Sequence, residues 1–99
     1  MEYSKAKEIY QKAIDTWGEK AQLEMLQEES TELALATRKY VRMPNNDNMT
    51  ALASEVADVK IMLEQLVIMV PDIIHMSNDW YDIKMERLDK RLNAKSFED

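Results

Sequence analysis

Five carboxylates recur at a spacing that can do chemistry. Glu28, Glu29 and Glu32 lie in QEESTEL, residues 27–33, and Glu55 and Asp58 lie in SEVAD, residues 54–58. On a helix, residues three apart project side by side. Glu29 with Glu32, and Glu55 with Asp58, are therefore two paired acids. Which faces they occupy decides their meaning. Gln22, Met25, Leu26, Glu29, Glu32, Leu33, Ala36 and Tyr40 share one side of a 3.6-residue helix. Glu29 and Glu32 thus fall in line with apolar residues rather than opposite them. Glu55 and Asp58 likewise neighbour Val59, Met62 and Leu66.

Carboxylates beside a packing face repel one another. Two unit charges about 4 Å apart interact by about 4 kcal/mol at an effective dielectric near 20. The arrangement is tolerable if the acids protonate, splay to solvent as charged helix edges, or are neutralised by a cation. Two antiparallel helices carrying such pairs make an all-oxygen cage. That donor set suits a hard divalent cation, Mg²⁺ above all, which keeps waters for a substrate phosphate.

The elements that must position these acids are helical. No stretch alternates with a period of two. The first helix is expected over residues 3–16, with Tyr3, Ala6, Ile9, Tyr10, Ala13, Ile14 and Trp17 at helical spacing. Gly18 follows as a kink or a C-cap. The second helix runs from about Glu19 to Val41. MPNNDNM, residues 43–49, is the clearest loop, because Pro44 blocks propagation and Asn and Asp favour turns. Asn48 or Thr50 is the expected cap of a third helix over about 50–70. There Leu52, Val56, Val59, Leu63, Leu66 and Val70 repeat in steps of four and three, a packing seam. Ile61 and Ile68 lie on its far side, so this helix is expected near the centre of the domain or between subunits. After Pro71 a fourth helix is expected over about 72–95, with Ile74, Tyr81, Met85, Leu88 and Leu92 as its stripe. The fold expected is a single all-α domain over 1–99: an antiparallel bundle of about four helices, completed by oligomerisation.

Composition bounds the rest. The 99 residues include no Cys, which excludes disulfides and thiolate metal sites and makes a cytoplasmic setting the natural expectation. A net charge of −6 disfavours direct nucleic-acid binding, which needs a basic surface. MEYSKAKEIYQK is charged and lacks the apolar core of a signal peptide. The best apolar run, VIMVPDIIHM, is interrupted by Pro71 and Asp72 and is too short to span a bilayer, so no membrane role is expected. His75 is the only histidine, and the bundle di-iron pattern with Glu-x-x-His on two helices is absent. The eight Met residues are read as core filler.

The stretch WGEKAQLEMLQEESTELALATRKY followed by LASEVADVKIMLEQL resembles the all-α nucleoside triphosphate pyrophosphohydrolases of the MazG type. Their pattern, EExxE on one helix and ExxD on the next, is met here by Glu28, Glu29, Ser30, Thr31, Glu32 and by Glu55, Val56, Ala57, Asp58. The resemblance covers residues 17–70 well and the last helix loosely. It implies Mg²⁺-dependent hydrolysis of an NTP or dNTP to the monophosphate and pyrophosphate, with Glu29, Glu32, Glu55 and Asp58 as the Mg²⁺ ligands. Glu28 points about 100° away from Glu29. It is either a group that orients water or pairs with a base, or a solvated glutamate. In the family, basic residues on the last helix hold phosphate. Lys84, Arg87 and Arg91 share a face there, with i, i+4 pairing to acids such as Asp82 and Glu86 as the alternative. Trp17 is either a stacking platform for a nucleobase or a core residue. The expected partners are a nucleoside triphosphate and further copies of the chain, as a homodimer or homotetramer. The competing readings are a noncatalytic helical assembly protein and a degenerate family member that binds nucleotide without efficient hydrolysis.

Overall fold

Gly18 separates the first two helices because only glycine adopts its backbone conformation without strain. Its φ of 93° lies in the left-handed half of backbone space. The Gly18 N–H closes the last turn of the preceding helix on Ile14 O at 2.8 Å, and its carbonyl accepts from Gln22 N–H at 3.2 Å to start the next. One residue thus serves as C-cap and N-cap.

The computed structural model describes residues 1–98, with side chains to Lys95. It contains four helices: α1 Tyr3–Trp17, α2 Glu19–Arg42, α3 Asn46–Met69 and α4 Ile73–Glu98. No strand occurs among the described residues, so the chain is all-α. No helix is long and apolar enough to cross a membrane.

Two compact units divide the chain, Met1–Met69 and Val70–Asp99. In the first, α2 and α3 form a helical hairpin and α1 packs on both. The connection between α2 and α3 is short, as antiparallel neighbours require. Its chemistry corrects the expected start of α3. Asn45, not Asn48 or Thr50, is the side chain that caps, its Oδ1 accepting from Asn48 N–H at 2.8 Å. Asn48 instead donates from Nδ2 to Met43 O at 2.9 Å and reaches Lys39 O at 3.4 Å, closing the end of α2. Helix α3 therefore begins one turn earlier than Pro44 and the Asn-rich run suggested.

The core is thin. Ile14, Ala36 and Met62 are its buried apolar residues, with Gln22 and Gln65 buried among them. Gln22 Nε2 donates to Gln65 Oε1 at 2.6 Å, and Gln65 Nε2 lies 3.8 Å from Met62 Sδ. A buried amide left unpaired costs about 1–3 kcal/mol, so this bond pins the register of α2 against α3. Tyr10 Oη donates to the Glu64 carboxylate and ties α1 to α3. That bond, with burial and the nearby negative charge, pushes the phenol up to a pKa of about 12.

The four-and-three seam expected on α3 is rotated from the face that packs. Val56, Leu63 and Val70 are exposed, whereas Leu52, Val59 and Leu66 are half-buried. The line facing inward runs through Glu55, Asp58, Met62 and Gln65. Met62 and Gln65 are the most deeply buried residues of α3, and Gln65 bonds across to Gln22 of α2. Trp17, read above as a core residue or a stacking platform, is 67% exposed at the end of α1.

The second unit is one helix, α4. It starts after a turn in which Ile73 N–H bonds Val70 O at 2.9 Å, since Pro71 cannot continue α3. From Ile74 to Lys95 every side chain of α4 is exposed.

Candidate metal centre

The hairpin register carries the acids to one point. Advancing two turns along α2 from Gln22 reaches Glu29. Retreating two turns along α3 from Gln65 reaches Asp58. The paired glutamines therefore set Glu29 opposite Asp58. Glu55, three residues before Asp58, joins them. One carboxylate oxygen from each of Glu29, Glu55 and Asp58 lies within 4.8 Å of the others. All three residues are half-buried.

Like charges this close are held at a cost, and two observations show it. The Glu29 carboxyl is raised above the ordinary 4.5, first by burial and then by the charges of Asp58, Glu55 and Glu32. Glu55 Oε2 is buried with no hydrogen-bond partner. A buried carboxylate oxygen without a donor needs a proton or a cation. Three carboxylates in an oxygen-only setting are the donor chemistry of a hard divalent cation, so the residues present fit one.

An open cleft of about 560 Å³ surrounds the trio and is walled by Gln27, Glu28, Glu29, Thr31, Glu32, Glu55 and Asp58. Of the four ligands implied by the resemblance, Glu29, Glu55 and Asp58 converge, while Glu32 is exposed and stands in the cleft wall. Glu32 also lines, with Glu55, a smaller hollow of about 120 Å³ toward Lys39 and Asn48. Glu28 is exposed on the same wall. The hydroxyls of Ser30 and Thr31 bond back to Leu26 O and Gln27 O, so neither competes for the carboxylates.

Trp17 borders a separate apolar groove of about 500 Å³ with Ala13, Ala21, Met25 and Met62, floored by Gln22 and Gln65. Lys84, Arg87 and Arg91 are exposed on α4. Glu86, a candidate partner for them, instead pairs with Lys90 at 3.4 Å. Gln65 was not legible as a site support. Extending the Glu55–Asp58 line by one further turn and then another would have reached Met62 and Gln65.

The raised Glu29 carboxyl has a testable consequence. Between its ordinary and raised values the folded chain keeps a proton that the unfolded chain has lost. Stability therefore falls as pH rises through that window. In chelator, the melting temperature should drop as pH rises above the ordinary glutamate range. Glu29→Gln should flatten that slope, and added Mg²⁺ should reduce it by replacing the proton. Thermal melts across pH check this, and an equal slope in Glu29→Gln would contradict it.

No protein-family model matches the chain, and neither a curated protein nor a solved structure matches it.

Proposed function

We propose that the chain is a Mg²⁺-dependent nucleoside triphosphate pyrophosphohydrolase of the MazG type, acting as a homo-oligomer. The observation that carries this reading is the convergence of Glu29, Glu55 and Asp58, with the partnerless buried oxygen of Glu55 among them. The order EExxE then ExxD along an antiparallel hairpin supports it.

Glu29, Glu55 and Asp58 hold the cation, with Glu32 at the wall of the same cleft. Bound there, Mg²⁺ would neutralise phosphate charge and polarise the phosphoryl group. The chain's own part is positioning and proton handling, which supply most of the acceleration in phosphoryl transfer. Glu28, exposed in the cleft wall, orients the attacking water. Lys84, Arg87 and Arg91 bind triphosphate oxygens, Arg as a two-pronged donor and Lys as a point charge. Trp17, exposed beside an apolar groove, stacks on the base.

Incubation with each NTP and dNTP, with Mg²⁺ or with chelator, tests the reaction. The expected products are monophosphate and pyrophosphate in equal amounts, formed only with Mg²⁺. Release of inorganic phosphate and diphosphate nucleoside instead, or no turnover, would overturn the reading. Arg87→Ala should raise KM by about 10- to 100-fold, a charge-assisted contact being worth about 1.5–3 kcal/mol, and leave cation affinity unchanged. Unchanged KM and kcat in single Ala variants at 84, 87 and 91 would remove α4 from the site.

A further inference from the structure

The hollow behind the acids has a basic residue in its wall. Glu32 and Glu55 line both the cleft and this hollow, so they divide one from the other. Lys39 is the single Lys or Arg bordering either cavity among the described residues. Its side chain is exposed, and its ammonium pairs with no carboxylate among the described residues.

The hairpin aims Lys39 and Glu55 at each other. Asn48 Nδ2 reaches Lys39 O at 3.4 Å, which sets these two residues level across the hairpin. Glu32 precedes Lys39 by seven residues, and Glu55 follows Asn48 by seven. Both acids therefore stand two turns, about 10.5 Å, from that level. A helical side chain leans toward the N-terminus of its own helix. Because α2 and α3 run antiparallel, Lys39 leans toward the acids and Glu55 leans toward Lys39. Ala36 and Ala51, which also line the hollow, are too small to fill the space between them. The four-carbon lysine stem suits such a path, since it lies along apolar surface while its ammonium seeks a charge.

We propose that Lys39 is the resident counter-ion of the metal centre. With no divalent cation bound, its ammonium turns into the hollow and pairs with Glu55 and Glu32. A bound cation takes over those charges and displaces it. The pairing supplies the donor that the buried Oε2 of Glu55 lacks. Lys39 is thus a positioning residue. It holds Glu55 beside Glu29 and Asp58 before the cation arrives, and by competing with the cation it sets the concentration at which the centre fills. The inference rests on the metal-centre reading and not on hydrolysis.

Three variants of the full chain test it: Lys39→Met, Lys39→Arg and, as a control of equal net charge, Lys20→Met. Both lysines are exposed on α2, and Met forms helix about as well as Lys. Thermal melts in chelator and Mn²⁺ titrations followed by electron paramagnetic resonance are run at one pH and one ionic strength. In chelator, Lys39→Met should melt about 2–4 °C below Lys20→Met, the loss expected for a partly exposed ion pair. It should bind Mn²⁺ about fivefold more tightly than Lys20→Met, because a single positive charge near a double one no longer opposes entry. Lys39→Arg, which keeps the charge, should match the unmodified protein in both measurements. Equal Mn²⁺ affinity or equal melting in the two Met variants, or weaker Mn²⁺ binding in Lys39→Met, overturns the proposal while the metal centre stands. Absence of Mn²⁺ binding to the unmodified protein overturns the metal centre and the proposal with it.

Discussion

Glu55→Gln should reduce Mg²⁺-dependent hydrolysis by about 100-fold or more while leaving the helical content unchanged. Removing one charged ligand forfeits several kcal/mol of charge stabilisation, and each 1.4 kcal/mol is about tenfold in rate. The same substitution should stabilise the protein in chelator. Glu55 sits within 4.8 Å of Glu29 and Asp58 through its carboxylate, and its buried Oε2 has no donor. An amide removes one of three like charges and brings two N–H donors to the remaining carboxylates. A relief of about 1 kcal/mol would raise the melting temperature by about 4–8 °C in a domain of this size. Loss of activity with gain of stability separates a site residue from a structural one. Full activity in Glu55→Gln, or equal destabilisation with and without Mg²⁺, would dismiss the metal-centre reading.

Ile61→Asp with Ile68→Asp should break the assembly or unfold it. Ile61 is 42% exposed and Ile68 half-buried, and α1, packed on α2 and α3, leaves both partly open. Val56 and Leu63 add to the apolar surface of the same helix. Burying a branched aliphatic side chain is worth about 1.5–3 kcal/mol, so two buried charges should weaken association by at least about 100-fold. The unmodified protein provides the second readout. Its melting temperature should rise with protein concentration, because in the proposed homo-oligomer association adds to the stability of the fold. A compact monomer at micromolar concentration, melting at a temperature independent of concentration, would contradict this.

How far the sequence went depends on what each residue's neighbours had to decide. Helical periodicity and Pro44 located the α2–α3 hairpin because both act locally. That Glu29, Glu55 and Asp58 lie on or beside the packing faces was legible, because the face a residue occupies is a property of one helix. Their convergence depended on the hairpin register, and that register is fixed by Gln22 and Gln65 across the interface. No local rule marks two glutamines as partners. Glu32 stands exposed in the cleft wall although it is three residues from Glu29, the same step that keeps Glu55 beside Asp58, so the step alone does not decide convergence. The α3 seam misled for a related reason. Val56, Leu63 and Val70 form a regular apolar stripe, and periodicity alone does not say whether such a stripe meets its own hairpin or another chain. Trp17 shows the same ambiguity. Size and apolarity favour burial, but its place at the end of α1, next to Gly18, leaves it open.

The claim on which the rest depends is that the waist of the α2–α3 hairpin holds a divalent cation. Mn²⁺, a spectroscopically visible ion with the same preference for oxygen ligands, measures this directly. Titration followed by electron paramagnetic resonance, without nucleotide, should show a bound Mn²⁺ that Mg²⁺ displaces. Its affinity should fall by about tenfold or more in each of Glu29→Gln, Glu55→Gln and Asp58→Asn, a loss of about 1.4 kcal/mol or more per ligand. Mn²⁺ binding of equal strength in the unmodified protein and all three variants would contradict the account.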